Sequence, residues 1–171
     1  MDISSRKTNL RQYGIMRPLV KYKLYYDHLS AAEGVRVILE EIGLSYELIP
    51  SSKDRSRPRP ANQLLINPNG WLPVLSWGDE GMYECAAIVF YLCDQHPDAK
   101  LAPLPNDPKR AVFLQTIIYF SNTVQTAFQT FYYPDRFVDE KKNEASARRR
   151  GVKRLEESWR CLLYTSDAAD E

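Results

Sequence analysis

Between residues 21 and 49 the chain presents a strand, a capped helix and a second strand, and that order constrains the fold more than any other feature. Lys21-Tyr22-Lys23-Leu24-Tyr25-Tyr26 is short and aromatic-rich, the mark of a strand. Ser30-Ala31-Ala32-Glu33 has the spacing of a capping box, in which serine and glutamate satisfy the orphan amides of a helix start. Val35, Ile38, Leu39 and Ile42 then recur at i, i+3, i+4 and i+7, one apolar stripe along a helix. Gly43 stands where a left-handed residue ends the helix. Ser45-Tyr46-Glu47-Leu48-Ile49 supplies the second strand. The three make a βαβ unit with a right-handed crossover.

Downstream, residues 51–60 are polar, basic and proline-containing, and are expected to be a loop. Residues 61–66 suit a short helix closed by Asn67-Pro68-Asn69-Gly70. Trp71-Leu72-Pro73-Val74-Leu75 has strand composition with a proline inside it. Proline cannot donate to a ladder, so this strand belongs at an edge or a special bend. Gly78 to Gly81 provides turn chemistry, and Met82-Tyr83 returns as a hairpin strand. Glu84-Cys85 begins a helix with Ile88, Tyr91 and Leu92 on one face, and His96-Pro97 ends it. The proline-rich residues 97–108 are expected to link two domains. Asp107-Pro108 suits the N-cap and first position of a long helix bearing Phe113, Ile117, Phe120, Val124, Phe128 and Phe131. Tyr132-Tyr133-Pro134 closes that helix. Residues 137–159 are expected to form another, charged outside, with Val152, Leu155 and Trp159 facing in.

Bulk properties exclude several functions. With 171 residues and a formal net charge of +1, the chain has no overall field that would recruit nucleic acid or anionic membrane. Arg148-Arg149-Arg150 is expected to be a solvated helix face. No apolar run approaches the roughly 20 residues of a bilayer span. Cys85, Cys93 and Cys161 form no CxxC, and His28 and His96 add no zinc-ligand cluster, so no metal site is expected. Reduced thiols suggest a cytoplasmic protein. Residues 1–19 are polar and basic and lack the apolar core of a secretory signal. Met16 is the expected natural start, with a disordered extension before it. Residues 161–171 resemble the translation of a transposon-end sequencing adapter, so a native helical region ending near Arg160 is expected, followed by a non-native tail.

Three ordered motifs carry a family resemblance across residues 21–160. Leu24-Tyr25-Tyr26 running into the helix and strand through Glu47 is similar to the first βαβ of the glutathione transferases. Asn67-Pro68-Asn69-Gly70-Trp71-Leu72-Pro73-Val74-Leu75 resembles their NPxGxVPxL segment, and Tyr83-Glu84-Cys85-Ala86-Ala87-Ile88-Val89-Phe90-Tyr91-Leu92 their LxESxAIxxYL segment. Residues 122–125 and 133–136 look like bacterial members. The resemblance implies an α/β thioredoxin-like N-terminal domain over residues 20–97, then a partial all-α glutathione-transferase domain over residues 98–160. It implies conjugation of the glutathione thiolate to small electrophiles, a detoxification chemistry in which glutathione is co-substrate and no cofactor is needed. A homodimer is also implied, and the helical domain would supply an apolar acceptor pocket.

Residue by residue, the resemblance assigns a cis-proline to Pro73 and gives Leu72 the task of offering its backbone to the cysteinyl part of glutathione, as one strand pairs with another. Glu84 would accept from the γ-glutamyl ammonium. Cys85, where the family has serine, would face the γ-glutamyl carboxylate at a helix start. A thiol donates a weaker hydrogen bond than a hydroxyl. Ser30 is the nearest candidate for the hydroxyl that stabilises the thiolate, although it also suits the capping box. The register with family members leaves that assignment open: cysteine-using members align their cysteine with Ala31, and a serine-serine-cysteine pattern would begin at Leu29. Tyr25, Tyr26 and His28 are the other groups nearby. One of Lys53, Arg55 and Arg57 could reach the glycine carboxylate. The competing functions are a non-catalytic binding or regulatory module of the same fold, and a thiol reductase, which would lack its cysteine at the first helix start.

Overall fold

The computed structural model describes residues 21–54 and 56–167. The expectations for residues 1–19, the Met16 start and Arg55 fall outside the described residues. Two compact units divide between Glu84 and Cys85. The proline-rich residues 97–108 lie within the second unit.

The first unit is built on a four-stranded mixed sheet, with β1 (Tyr22–Tyr26), β2 (Tyr46–Pro50), β3 (Val74–Trp77) and β4 (Glu80–Tyr83) in the spatial order β2-β1-β3-β4. The strand–helix–strand pattern gives what it must: β1 and β2 run parallel, Tyr22 opposite Tyr46 through Tyr26 opposite Pro50. β3 is antiparallel to both β1 and β4. Between β1 and β2 lies α1 (Ala32–Ile42), which ends on Gly43 at φ 77. Of the predicted stripe, Val35 and Leu39 are fully buried, while Ile38 and Ile42 are half-buried. Burial of each of the first two side chains is worth about 1.5–3 kcal/mol. With Leu24, Tyr25, Val74 and Leu75 they form the core of this unit. The short helix α2 (Ala61–Ile66) forms where the sequence places it and packs on β4. A Cβ on Gly81 would lie 2.6 Å from Ile66 Cδ1, so β4 accepts that side chain only because position 81 has none.

The expected strand over residues 71–75 is shifted. β3 begins at Val74, after the proline, and it pairs on both sides. A residue without an N–H cannot enter a two-sided ladder, so Pro73 stands at its threshold.

In the second unit α3 (Cys85–Gln95) buries Ile88 and Leu92 completely. Arg110 ties the start of α4 (Arg110–Tyr119) to Asp94 at 3.0 Å, and Phe113 meets Phe90 edge-on at 5.7 Å. Asp107 caps the turn before α4, accepting from Lys109 N at 2.8 Å, and the helix itself starts at Arg110. The long helix continues through a π turn (Phe120–Val124) into α5 (Gln125–Tyr132). That turn rotates the predicted aromatic stripe out of register. Val124 remains buried, but Phe120 and Phe128 are exposed, and Ala127 and Thr130 are buried instead.

The last helix, α6 (Glu144–Asp167), starts later than the expected residue 137. It also runs past Arg160, because nothing in residues 161–167 is a glycine or proline that would break it. Its packed face differs from the expected one. Val152 and Trp159 are exposed, whereas Ala147, Gly151 and Ser158 are buried. The reason is backbone proximity. A Cβ on Gly151 would sit 2.8 Å from Phe131 N, so small residues let α6 lie directly on α5. Among the described residues no helix is long and apolar enough to cross a membrane.

Candidate functional site

Strand register brings the predicted residues of the first unit to one end of the sheet. Val74 opens β3 and lies opposite Tyr25 of β1 and Tyr83 of β4. The residues that follow β1, precede β3 and follow β4 therefore converge. Ser30 comes from the first group, Leu72 and Pro73 from the second, and Glu84 from the third. The parallel pairing of β1 with β2 adds the loop that carries Lys53.

The Leu72–Pro73 peptide is cis, as the resemblance implies. Pro73 is buried and Leu72 half-buried. The turn before them depends on Gly70, whose φ is 67 and whose Cβ would stand 3.1 Å from Arg59 Cγ. Two buried polar side chains adjoin this turn, Gln63 and Asn67. Asn67 opens the motif that closes the short helix, whereas nothing in the sequence marks Gln63. The signal available was a polar residue one turn ahead of Asn67 on the short helix, and nothing in that spacing distinguishes a solvated glutamine from a buried one.

Glu84 is exposed and holds φ at 75. A left-handed conformation costs a non-glycine residue about 1–2 kcal/mol, and such outliers collect at functional positions. Cys85, the next residue along the chain, opens α3 as a half-buried cysteine that forms no disulfide.

The approach to α1 differs from the expected capping box. The helix starts at Ala32 with Ala31 in the N-cap position, where it has no side-chain oxygen to offer. Ser30 Oγ donates to the Asp27 carbonyl at 2.6 Å and accepts from Ala32 N at 3.3 Å, closing a local turn. Glu33 turns towards β1 and accepts the Tyr26 hydroxyl. Leu29, between β1 and α1, holds φ at 55. The Tyr26 hydrogen bond, helped by the Leu29 amide and by Arg36 and His28, holds the Glu33 carboxyl below its usual range. The same bond raises the Tyr26 phenol above its ordinary value. His28 Nδ1 stands 3.4 Å from Glu33. Lys53 is engaged twice, its backbone N–H on Asp27 Oδ2 at 2.8 Å and its ammonium on the His28 carbonyl at 2.6 Å. Arg57 pairs with Asp54 at 3.6 Å. Among the described residues no cluster of His, Cys, Asp or Glu could hold a metal ion.

Residues 24–100 match the family model "Glutathione S-transferase, N-terminal domain". The matched span includes α3, as does the expected first domain. Glutathione S-transferase Z2 of Arabidopsis thaliana is 37% identical over 107 residues, covering 61% of this chain and 47% of that protein. The chain spans about half the length of the curated relatives it matches. Among solved structures, glutathione transferase URE2P8 from Phanerochaete chrysosporium with oxidized glutathione aligns at TM-score 0.71 and 26% identity, over 84% of this chain and 66% of that one. A Sulfitobacter glutathione transferase homolog with bound glutathione aligns at TM-score 0.70 and 22% identity, over 81% and 66%, a likeness of fold. The thioredoxin-like sheet with a helical region after it is the architecture these structures share.

Proposed function

Starting from a glutathione S-transferase N-terminal domain over residues 24–100, we propose that this protein is a glutathione transferase that joins the glutathione thiolate to small electrophiles. The observation that carries the reading is the convergence of Ser30, Leu72, Pro73 and Glu84 at one end of the sheet. In this reading the Leu72 backbone pairs with the cysteinyl residue of glutathione. The Glu84 carboxylate takes the γ-glutamyl ammonium, and Cys85 takes the carboxylate of that same group. Ser30 donates to the sulfur, which it can do only by turning its proton away from the Asp27 carbonyl. With chlorodinitrobenzene as acceptor, the C–S bond forms, the C–Cl bond breaks and chloride leaves. The thiol proton goes to solvent.

One observation favours a second reading, a glutathione-binding module without turnover: the Ser30 proton is already committed in the structure. Retention on immobilised glutathione followed by a chlorodinitrobenzene assay separates the two. Turnover with Ser30→Ala slowed about ten- to a hundredfold, and its pH–rate profile moved to higher pH, supports the transferase with Ser30 as activator. An unchanged rate and profile remove Ser30 from catalysis. Retention without any turnover establishes the binding module.

A further inference from the structure

We propose that Gln63 is a positioning residue for glutathione, acting through the peptide groups that lead to Leu72; the proposal rests on the glutathione reading above. Gln63 is 0% exposed. Its Oε1 accepts from Ser51 Oγ at 2.5 Å, which leaves the amide nitrogen turned to the loop. Nε2 donates to the Gly70 carbonyl at 3.1 Å and reaches the Trp71 carbonyl at 3.5 Å. Arg59 Nε fills the second lone pair of Gly70 at 3.0 Å, and Asn67 Nδ2 donates to Trp71 at 3.3 Å. The two carbonyls immediately before Leu72 are thus held by three side chains.

Peptide planarity turns this clamp into an aim. Among the described residues the one cis bond is Leu72–Pro73, so the Trp71–Leu72 peptide is trans. In a trans peptide the N–H points opposite to the C=O. Drawing the Trp71 carbonyl towards Asn67 and Gln63 directs the Leu72 N–H away from them, as a free donor for a peptide ligand laid along the loop. A buried amide is costly unless its polar atoms are paired. Both polar atoms of Gln63 are paired, one to the loop after β2 and one to the turn before Leu72, so the residue transmits the sheet's geometry to the ligand-facing backbone. An apolar side chain of equal size would fill the same space without holding the turn.

The test is calorimetry of glutathione binding to the full chain, with steady-state kinetics alongside. Gln63→Met keeps the volume and removes the bonds. The dissociation constant is expected to rise about tenfold. KM for glutathione should follow it while kcat at saturating glutathione holds, a split that simple loss of stability would not give. A folded Gln63→Met chain that binds glutathione as tightly as wild type overturns the proposal. Should that variant fail to fold, Ser51→Ala releases only the far end of the amide and should weaken binding about threefold. Unchanged affinity there overturns the proposal equally. Wild-type chain that does not bind glutathione overturns the underlying glutathione reading, a result distinct from a wild type that binds and a variant that matches it.

Discussion

The turn before Leu72 and the approach to α1 meet at the same end of the sheet but use their polar groups in opposite ways. Around Leu72, side chains from α2 and its neighbours hold the Gly70 and Trp71 carbonyls, which in the proposed reading aims the Leu72 N–H at the ligand. Around α1, the side chains satisfy one another: Ser30 donates to Asp27, Tyr26 to Glu33, and Lys53 to the His28 carbonyl. Recognition of a peptide backbone needs only fixed geometry, and the first region is already set for it. Stabilising a thiolate needs a proton to give, and in the second region Ser30 and Tyr26 donate theirs to Asp27 and Glu33. In the proposed reading, the contrast separates binding from activation within one site.

The strongest way to break this comparison is at Glu84. Glu84→Gln keeps the backbone and removes the charge, and it should weaken glutathione binding about ten- to a hundredfold by calorimetry. Equal affinity would move the ammonium site elsewhere. Gly70→Ala tests whether the preset geometry lies in the backbone. A Cβ at φ 67, crowded by Arg59, should cost about 1–2 kcal/mol in urea unfolding and weaken glutathione binding in the folded fraction. Cys85→Ser replaces a weak donor with a stronger one, and the expected gain in affinity is no more than about threefold. A large loss would show that the thiol itself contributes.

The smallest effect belongs to the α1 side. The Glu33 carboxyl is held low in the folded protein, so its contribution to stability is present above its ordinary pKa. That contribution is lost as pH falls from the ordinary value through the lowered one. Glu33→Gln should flatten this part of the acid unfolding curve and leave the neutral region nearly unchanged, because the group is solvent-exposed. Parallel acid unfolding curves for the two proteins would show that the Tyr26 bond carries no net stability.

Legibility followed the kind of interaction. Local patterns specify their own elements. The α1 stripe, the Gly43 stop, α2 and the hairpin lie where spacing and turn residues place them. Packing between helices does not follow from local pattern. The aromatic spacing on the long helix predicted the wrong face because a π turn intervenes, and on α6 large residues were expected inside where Ala147 and Gly151 are. A hydrophobic pattern scores side-chain transfer, whereas close backbone approach selects for small side chains. At the candidate site, motif spacing points to Leu72, Pro73 and Glu84 and the Leu72–Pro73 bond is cis, whereas no local pattern marks the buried Gln63 amide.

By itself the sequence determined the order of elements, the parallel pairing that a strand–helix–strand run requires, and the family resemblance on which the glutathione assignment rests. Each follows from neighbours along the chain or from motifs of fixed spacing. Only the tertiary structure decided which protons are spent. Ser30 could cap a helix or face a thiolate on sequence grounds, and it is the fold that sets the Asp27 carbonyl 2.6 Å from its hydroxyl. A hydroxyl has one proton, and where it goes depends on acceptors brought near by folding.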